Sequence, residues 1–204
     1  MKHCLIGIRH LIIAFLPVFI TGPAIAQDRG AQEYISQLAV QLQQALQRGL
    51  EQDLLDNDKH LDQIIDENIL PYVDPALLSK RIFHPRWEDI IAAGKQSQAQ
   101  SAVISSLRRT YRIALRSYSG QPFSVGNSRD TPSYSVVRIT VQTGQNAHLL
   151  DFAVRPTEGD WKVFDLSVDG VVLSKTLNSA IHQELSGDSI DAIISAINPQ
   201  SDSQ

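Results

Sequence analysis

The hydrophobic period of this chain changes once, at Gly120, and that change restricts the folds open to it. Before Gly120, apolar residues recur at intervals of three and four, the spacing of one helix face; after it they alternate, the spacing of a half-buried strand. A helical half followed by an antiparallel half is the α+β class, in which the helices bury their stripes against the apolar face of the sheet.

The helical half divides into segments with readable ends. Ile35, Leu38, Leu42, Ala45, Leu46 and Leu50 form one stripe over Tyr34 to Leu50, with Gly49 a weak point near the end. A second run, Asp53 to Asn68, places Leu54, Leu61, Ile64 and Ile65 together and stops before Pro71. Asp74-Pro75 reads as an N-cap and a first-turn proline for a short helix through Leu77, Leu78 and Ile82. Pro85 opens a further turn carrying Trp87, Ile90 and Ile91, which Gly94 breaks. Ser97 is the expected N-cap of the longest helix, Gln98 to Tyr118. Its stripe is Ala99, Val103, Ile104, Leu107, Tyr111, Ala114, Leu115 and Tyr118. Arg108, Arg109, Arg112 and Arg116 cover much of its remaining surface and read as a solvated side.

Four strands are expected after Gly120: Gln121 to Val125, Tyr134 to Thr143, His148 to Arg155 and Trp161 to Val168. Val137, Ile139 and Val141 share one face, as do Leu150, Phe152 and Val154, and then Phe164, Leu166 and Val168. Lys162 has the parity of Phe164 and is expected at an exposed strand start. Gly144-Gln145-Asn146 and Glu158-Gly159-Asp160 are hairpin connections, giving an antiparallel meander with one apolar face. Two short helices, Lys175 to Leu185 and Ser189 to Ile197, end the fold, and a polar tail follows from Pro199.

The first 26 residues read as a secretory signal peptide. Lys2 and Arg9 supply the basic region, Leu11 to Ile20 the apolar one, and Ala24-Ile25-Ala26 the cleavage site. An apolar run of about ten residues is half of what a spanning helix needs. Cleavage removes two of the 18 basic residues and none of the 22 acidic ones, so the net charge falls from −4 to −6. An acidic domain is poorly suited to nucleic acid, which is bound by neutralising phosphates. Cleavage also removes Cys4, the single cysteine, and with it disulfides, thiol catalysis and cysteine–zinc sites. The expectation is an exported, periplasmic protein: one domain over residues 27–198, and a disordered tail over 199–204.

Residues that carry chemistry are sparse. His60, His84, His148 and His182 are scattered without metal-ligand spacing, so no metal is expected. There is no G-x-S-x-G elbow, phosphate loop or dinucleotide glycine pattern, and no cofactor is expected. Asp165 and Asp169 can be weighed as paired carboxylates. The plainer reading puts Asp165 on the polar face of its strand and Asp169-Gly170 in a turn. What the chain does offer is apolar and aromatic surface, with Tyr72, Phe83, Trp87, Tyr111, Tyr118, Phe152 and Phe164 fit for a core or for the wall of a ligand pocket.

Leu70-Pro71-Tyr72-Val73-Asp74, then Trp87, then Leu107-Arg108-Arg109-Thr110-Tyr111 and Leu115 form an ordered set. Trp161-Lys162-Val163-Phe164-Asp165, continuing to Val168-Asp169-Gly170-Val171, forms a second. Together they resemble the MlaC family of periplasmic phospholipid-binding proteins, also known as toluene-tolerance auxiliary proteins, over about Tyr34 to Ile197. The chain departs from the family pattern at Phe83-His84, where a Leu-Gly pair is usual. It departs again at Ala99 and Val103, where phenylalanines are usual, and at Leu177, Asn178 and Ile181, near a usual aromatic-arginine pair. Smaller residues at aromatic positions suggest a reshaped or wider pocket.

The resemblance implies a cone-shaped, NTF2-like fold with N-terminal helices on one face of a curved antiparallel sheet, and C-terminal helices. It also implies a non-enzymatic carrier that holds phospholipid tails between helices and sheet. Such a carrier exchanges lipid between an outer-membrane lipoprotein complex and an inner-membrane ABC transporter complex with its substrate-binding lipid-transfer subunit, maintaining outer-membrane lipid asymmetry. The expected lipid-binding residues are Val103, Leu107, Tyr111 and Leu115 from the long helix, and Val137, Ile139, Leu150, Phe152, Phe164 and Leu166 from the sheet. The alternatives are a carrier of a hopanoid or other isoprenoid lipid, a small periplasmic enzyme on a similar fold using Asp165 or a histidine, and an adaptor whose Arg108, Arg112 and Arg116 dock an acidic partner.

Overall fold

The computed structural model describes residues 30–184 and 187–197. The signal peptide expected over 1–26, the tail expected over 199–204 and the side chain of His182 lie outside the described residues.

Helix α1 spans Ala31–Glu51 and buries Tyr34, Ile35, Leu38, Ala39 and Leu46 along one face. It runs through Gly49, which is a point of close approach and not of weakness: a Cβ there would lie 2.8 Å from the Leu55 side chain and 3.0 Å from His60 Nε2. Helix α2 starts at Asp58 (Asp58–Asn68), later than the apolar spacing predicts, because Asn57 caps it by accepting from the His60 N–H. Asp53 ahead of it has φ +56°, which helical continuation does not allow. A single 3₁₀ turn, Leu70–Tyr72, leads to α3 (Pro75–Ile82), which Asp74 caps at 2.9 Å from the Leu77 N–H as the sequence predicts. Helix α4 is Trp87–Ala92, ended by Gly94 at φ +68°. Helix α5 begins at Gln96 (Gln96–Arg116), placing Ser97 inside its first turn, and no side chain caps it.

The sheet is a five-stranded meander in the order β1-β2-β3-β4-β5. Its strands are β1 (Phe123–Asp130), β2 (Ser135–Thr143), β3 (Asn146–Thr157), β4 (Asp160–Val168) and β5 (Val171–Val172). Strand β1 runs further than expected and carries a bulge between Val125 and Ser128. Asp169 and Gly170, at φ +50° and +86°, form the two-residue hairpin to β5, a strand too short to be seen in the sequence. Helices α6 (Leu173–Glu184) and α7 (Ile190–Ile197) complete the fold.

Register aligns Val137 with Phe152 and Phe152 with Leu166, and likewise Ile139 with Leu150 and Leu150 with Val168. Simple alternation along β4 then fails. A bulge makes Val163, not Phe164, the partner of Val154, and sets Lys162 opposite Arg155. One extra residue reverses the parity of everything before it, so Lys162 leaves the apolar face and Val163 joins it. The other face is polar where it meets water, as in the two 2.7 Å hydrogen bonds from Arg138 to Asp151.

The apolar interior forms two clusters. One joins Ala45 and Leu46 of α1 to α2, α3, α4, α5, α6 and α7. The other joins Tyr34, Ile35 and Ala39 of α1 to Val137, Ile139, Val154 and Val163 of the sheet. Phe123, at the turn from helices to strands, packs against both. Among the described residues no helix is long and apolar enough to cross a membrane.

Candidate functional site

Exposure grades across the inner face of the sheet. Val137 and Ile139 of β2 lie beneath α1 and are 0 % and 2 % exposed. Their neighbours in register on β3 and β4, Leu150, Phe152 and Leu166, are half-buried, and Val168 is 43 % exposed. The cause is the placement of the helices. Helix α1 lies over β1 and β2 and barely reaches β3, while α3 and α6 meet the sheet at β4, where Val73 also bridges to Val163.

Helix α5 stands off this part of the sheet. It packs on α2, α3, α4 and α7 and makes no extensive approach to any described strand. Val103, Leu107 and Leu115 are buried in the helical cluster, and Tyr111 packs against it half-buried. Tyr111 lies deep: burial pushes its hydroxyl up to about 12, and the Asp165 carboxylate adds to the shift. The Asp165 effect brings the Tyr111 hydroxyl within electrostatic reach of the middle of β4.

Ten residues were expected to bind ligand. Val103, Leu107 and Leu115 are placed within the helical cluster, Val137 and Ile139 within the α1–sheet cluster, and Leu150 and Phe152 against the latter. Tyr111 and Leu166 keep accessible surface, and the bulge sets Phe164 apart, buried against the Tyr134 ring at 5.7 Å and beneath the Arg81 guanidinium at 5.4 Å.

Asp165 is not on a solvated face. It is 5 % exposed and saturated with donors: Arg81 Nε at 2.9 Å, Ser174 Oγ at 2.5 Å, and the N–H groups of Leu166 at 3.0 Å and Ser174 at 3.2 Å. It therefore joins α3 and the start of α6 to the middle of β4. Arg81 and Ser174 carried no signal in the sequence, because their partner lies 84 and 9 residues away on another element.

The arginine side of α5 is likewise spoken for. Arg108 pairs with Asp66, Arg112 with Asp58 and Asp62 at 2.9 and 3.1 Å, and Arg116 with Asp58 and Asp56. This is a ladder to α2 and to Asp56 just before it. Arg109 donates to the Ile197 carbonyl of α7 at 3.0 Å, and Lys95 pairs with Asp191 near the start of α7. Helix α7 is thus tied along the stretch of α5 that contains Ala99 and Val103, both fully buried. An open groove of about 460 Å³ lies where α5 meets the start of α3. Pro75, Ser97, Gln100, Ser101, Ile104, Ser105 and the already paired Arg108 line it.

His148 pairs with Asp169 at the β4–β5 hairpin, and no group of histidine, cysteine and carboxylate side chains among the described residues could hold a metal. At the Phe83-His84 departure, Phe83 is fully buried and stacks on Trp87 with centroids 6.5 Å apart, and Asn178 donates to the Ile82 carbonyl at 2.8 Å and to that of His84.

The family model described as MlaC protein matches residues 37–199. The chain belongs to the MlaC family. Its fold is similar to that of a phospholipid-binding protein from Ralstonia solanacearum solved in complex with a phospholipid, at a TM-score of 0.75 and 23% identity, covering 84% of this chain and 96% of that one. No curated protein matches the sequence. Membership of the MlaC family accounts for the curved sheet and the helices on it, and supports phospholipid binding and transport as the chain's class of function.

Proposed function

We propose that this protein is a non-enzymatic carrier that moves phospholipid through the periplasm, between outer-membrane and inner-membrane complexes. The observation that carries the reading is the MlaC family match over residues 37–199, beside an apolar sheet face on which Leu150, Phe152 and Leu166 are left half-buried and α5 makes no extensive approach. The acyl tails occupy the space between α5 and strands β3 and β4. Each buried CH₂ is worth about 0.8 kcal/mol, so a tail of ~16 carbons gains roughly 13 kcal/mol on leaving water. A lipid that could not cross an aqueous compartment free can cross it inside such a space.

The donor and acceptor are an outer-membrane lipoprotein complex and an inner-membrane ABC transporter complex with its lipid-transfer subunit. Export by the signal peptide over residues 1–26 brings the chain to them. Asp165 does not act as a base in this reading, because its oxygens are committed to Arg81, Ser174 and Leu166. Protein purified without detergent is expected to carry phospholipid detectable by mass spectrometry and to take it up from vesicles. Protein that emerges empty and stays empty would overturn the proposal, and a hopanoid or other isoprenoid in its place would change the cargo.

A further inference from the structure

We infer that the polar face of the sheet, with Arg81, Arg129, Arg138, Arg155 and Lys162 upon it, docks a protein partner whose own surface is rich in carboxylates. Strand register and exposure carry this, independently of the carrier reading.

Register brings the cations together. Arg129 of β1 pairs with Val136 of β2, Val136 with Ala153 of β3, and Ala153 with Asp165 of β4, the residue that Arg81 meets. In the neighbouring rows Arg138 pairs with Asp151, and Arg155 with Lys162. Paired residues share a face, as do residues two apart on one strand. All five cations therefore gather on the face opposite Val137 and Ile139, which α1 covers. Among the described residues no helix but α1 approaches β2 or β3 extensively, so this face is bare across the middle of the sheet.

Charge on this face is sorted by depth. The Arg81, Arg138 and Arg155 side chains are 38–45 % exposed, while their partners Asp165, Asp151 and Asp74 are 4–17 % exposed. Lys162 donates to the Pro71 carbonyl, and Arg129 makes no ion pair among the described residues. Water thus meets cationic edges, although acidic residues outnumber basic ones in the chain, 22 to 18. The carboxylates beneath set the direction of three arginines, so little side-chain freedom is lost on binding. Tyr134 adds half-exposed ring surface beside them, held edge-on at 5.7 Å by Phe164, over which Arg81 lies. Tyrosine and arginine are the residue types that carry binding energy between proteins, and a fixed array of guanidinium forks matches fixed carboxylates. A bilayer fits less well, because it takes up inserted apolar side chains. Val168 and Val171, the exposed valines of the sheet, lie on the opposite face with Leu150.

The test titrates the protein with a fluorescein-labelled decaglutamate peptide and follows fluorescence anisotropy. Wild type is expected to bind at low salt and release the peptide at high salt. The Arg129→Gln, Lys162→Gln double variant, which strands no carboxylate, should bind about tenfold more weakly. Arg129→Gln alone should lose about threefold, and it keeps the test decisive if circular dichroism shows the double variant to be misfolded. Arg48→Gln with Lys59→Gln removes the same charge from α1 and α2 and should cost less than about twofold. No binding by wild type, or equal losses from the two double variants, overturns the inference, the second by making net charge the cause. Cosedimentation with phosphatidylglycerol vesicles that the Arg129→Gln, Lys162→Gln variant abolishes would give this face to a bilayer and overturn the protein assignment. None of these outcomes bears on whether the protein carries lipid.

Discussion

The Tyr118 ring meets the Phe123 ring edge-on, with centroids 6.0 Å apart and planes at 74°. The first closes the helical half, the second opens the sheet, and Phe123 packs against both apolar clusters. Its N–H also donates to Gln43 on α1 at 3.3 Å. Replacing Phe123 with Ala is expected to cost about 2–4 kcal/mol, the lower part of the range for an aromatic truncation because the ring is half-buried. Urea denaturation measures it; a loss under about 0.5 kcal/mol, the scale of a surface substitution, would show that the layers are joined elsewhere.

Alkaline pH should expose Tyr111. Its hydroxyl ionises at 10.0 when unperturbed and at about 12 in the fold, so the folded state holds a proton that the unfolded state releases. Stability from this group is full below pH 10 and falls as pH rises towards 12, by at most about 2–3 kcal/mol. Tyr111→Phe should flatten that decline, with the smaller part due to Tyr118, also raised by burial, remaining. Denaturation of both proteins at pH 9 and 11 decides it: equal slopes would contradict the placement of the hydroxyl.

Arg112 sits at the centre of the α2–α5 ladder, 25% exposed and within reach of Asp58 and Asp62. Arg112→Met keeps the side-chain packing and removes the ion pairs, with an expected cost of about 1 kcal/mol, the upper end for partly exposed pairs. For a chain of this length that lowers the melting temperature by roughly 2–4 °C. The difference should shrink in high salt, which screens the pairs. A difference indifferent to salt would mean that packing, not charge, holds the two helices.

Ala99 is fully buried on the stretch of α5 that α7 covers. Ala99→Phe, which restores the residue usual in the family, should overpack this contact and cost about 1–3 kcal/mol. Shortening Ile193 or Ile194 to Ala in the same chain should recover part of the loss, a coupling that a double-mutant cycle reads directly. Additive losses would place the new ring away from α7.

Much of this was legible without coordinates, because period and caps are local. Asp74 capping α3, the Gly144 and Glu158-Gly159 hairpins, and the inward set Val137, Ile139, Leu150 and Phe152 follow from spacing and turn chemistry. What could not be read depends on residues distant in sequence. The bulge at Phe164 is set by pairing with β3, and no property of Trp161 to Val168 announces it. Arg108, Arg112 and Arg116 looked solvated because the aspartates that meet them lie on α2 or just before it, 42 or more residues earlier. Asp165 looked surface-exposed for the same reason: Arg81 arrives from α3.

The mounting of α5 has a mechanical consequence. Its ion pairs run to α2 and to Asp56 just before it, and Arg109 reaches α7, while the ties that cross to the sheet are made by its neighbour α3, through the Arg81–Asp165 pair and the capping Asp74 paired with Arg155. A push on the long helix therefore reaches the strands by way of α3, as a beam hands its load to a post.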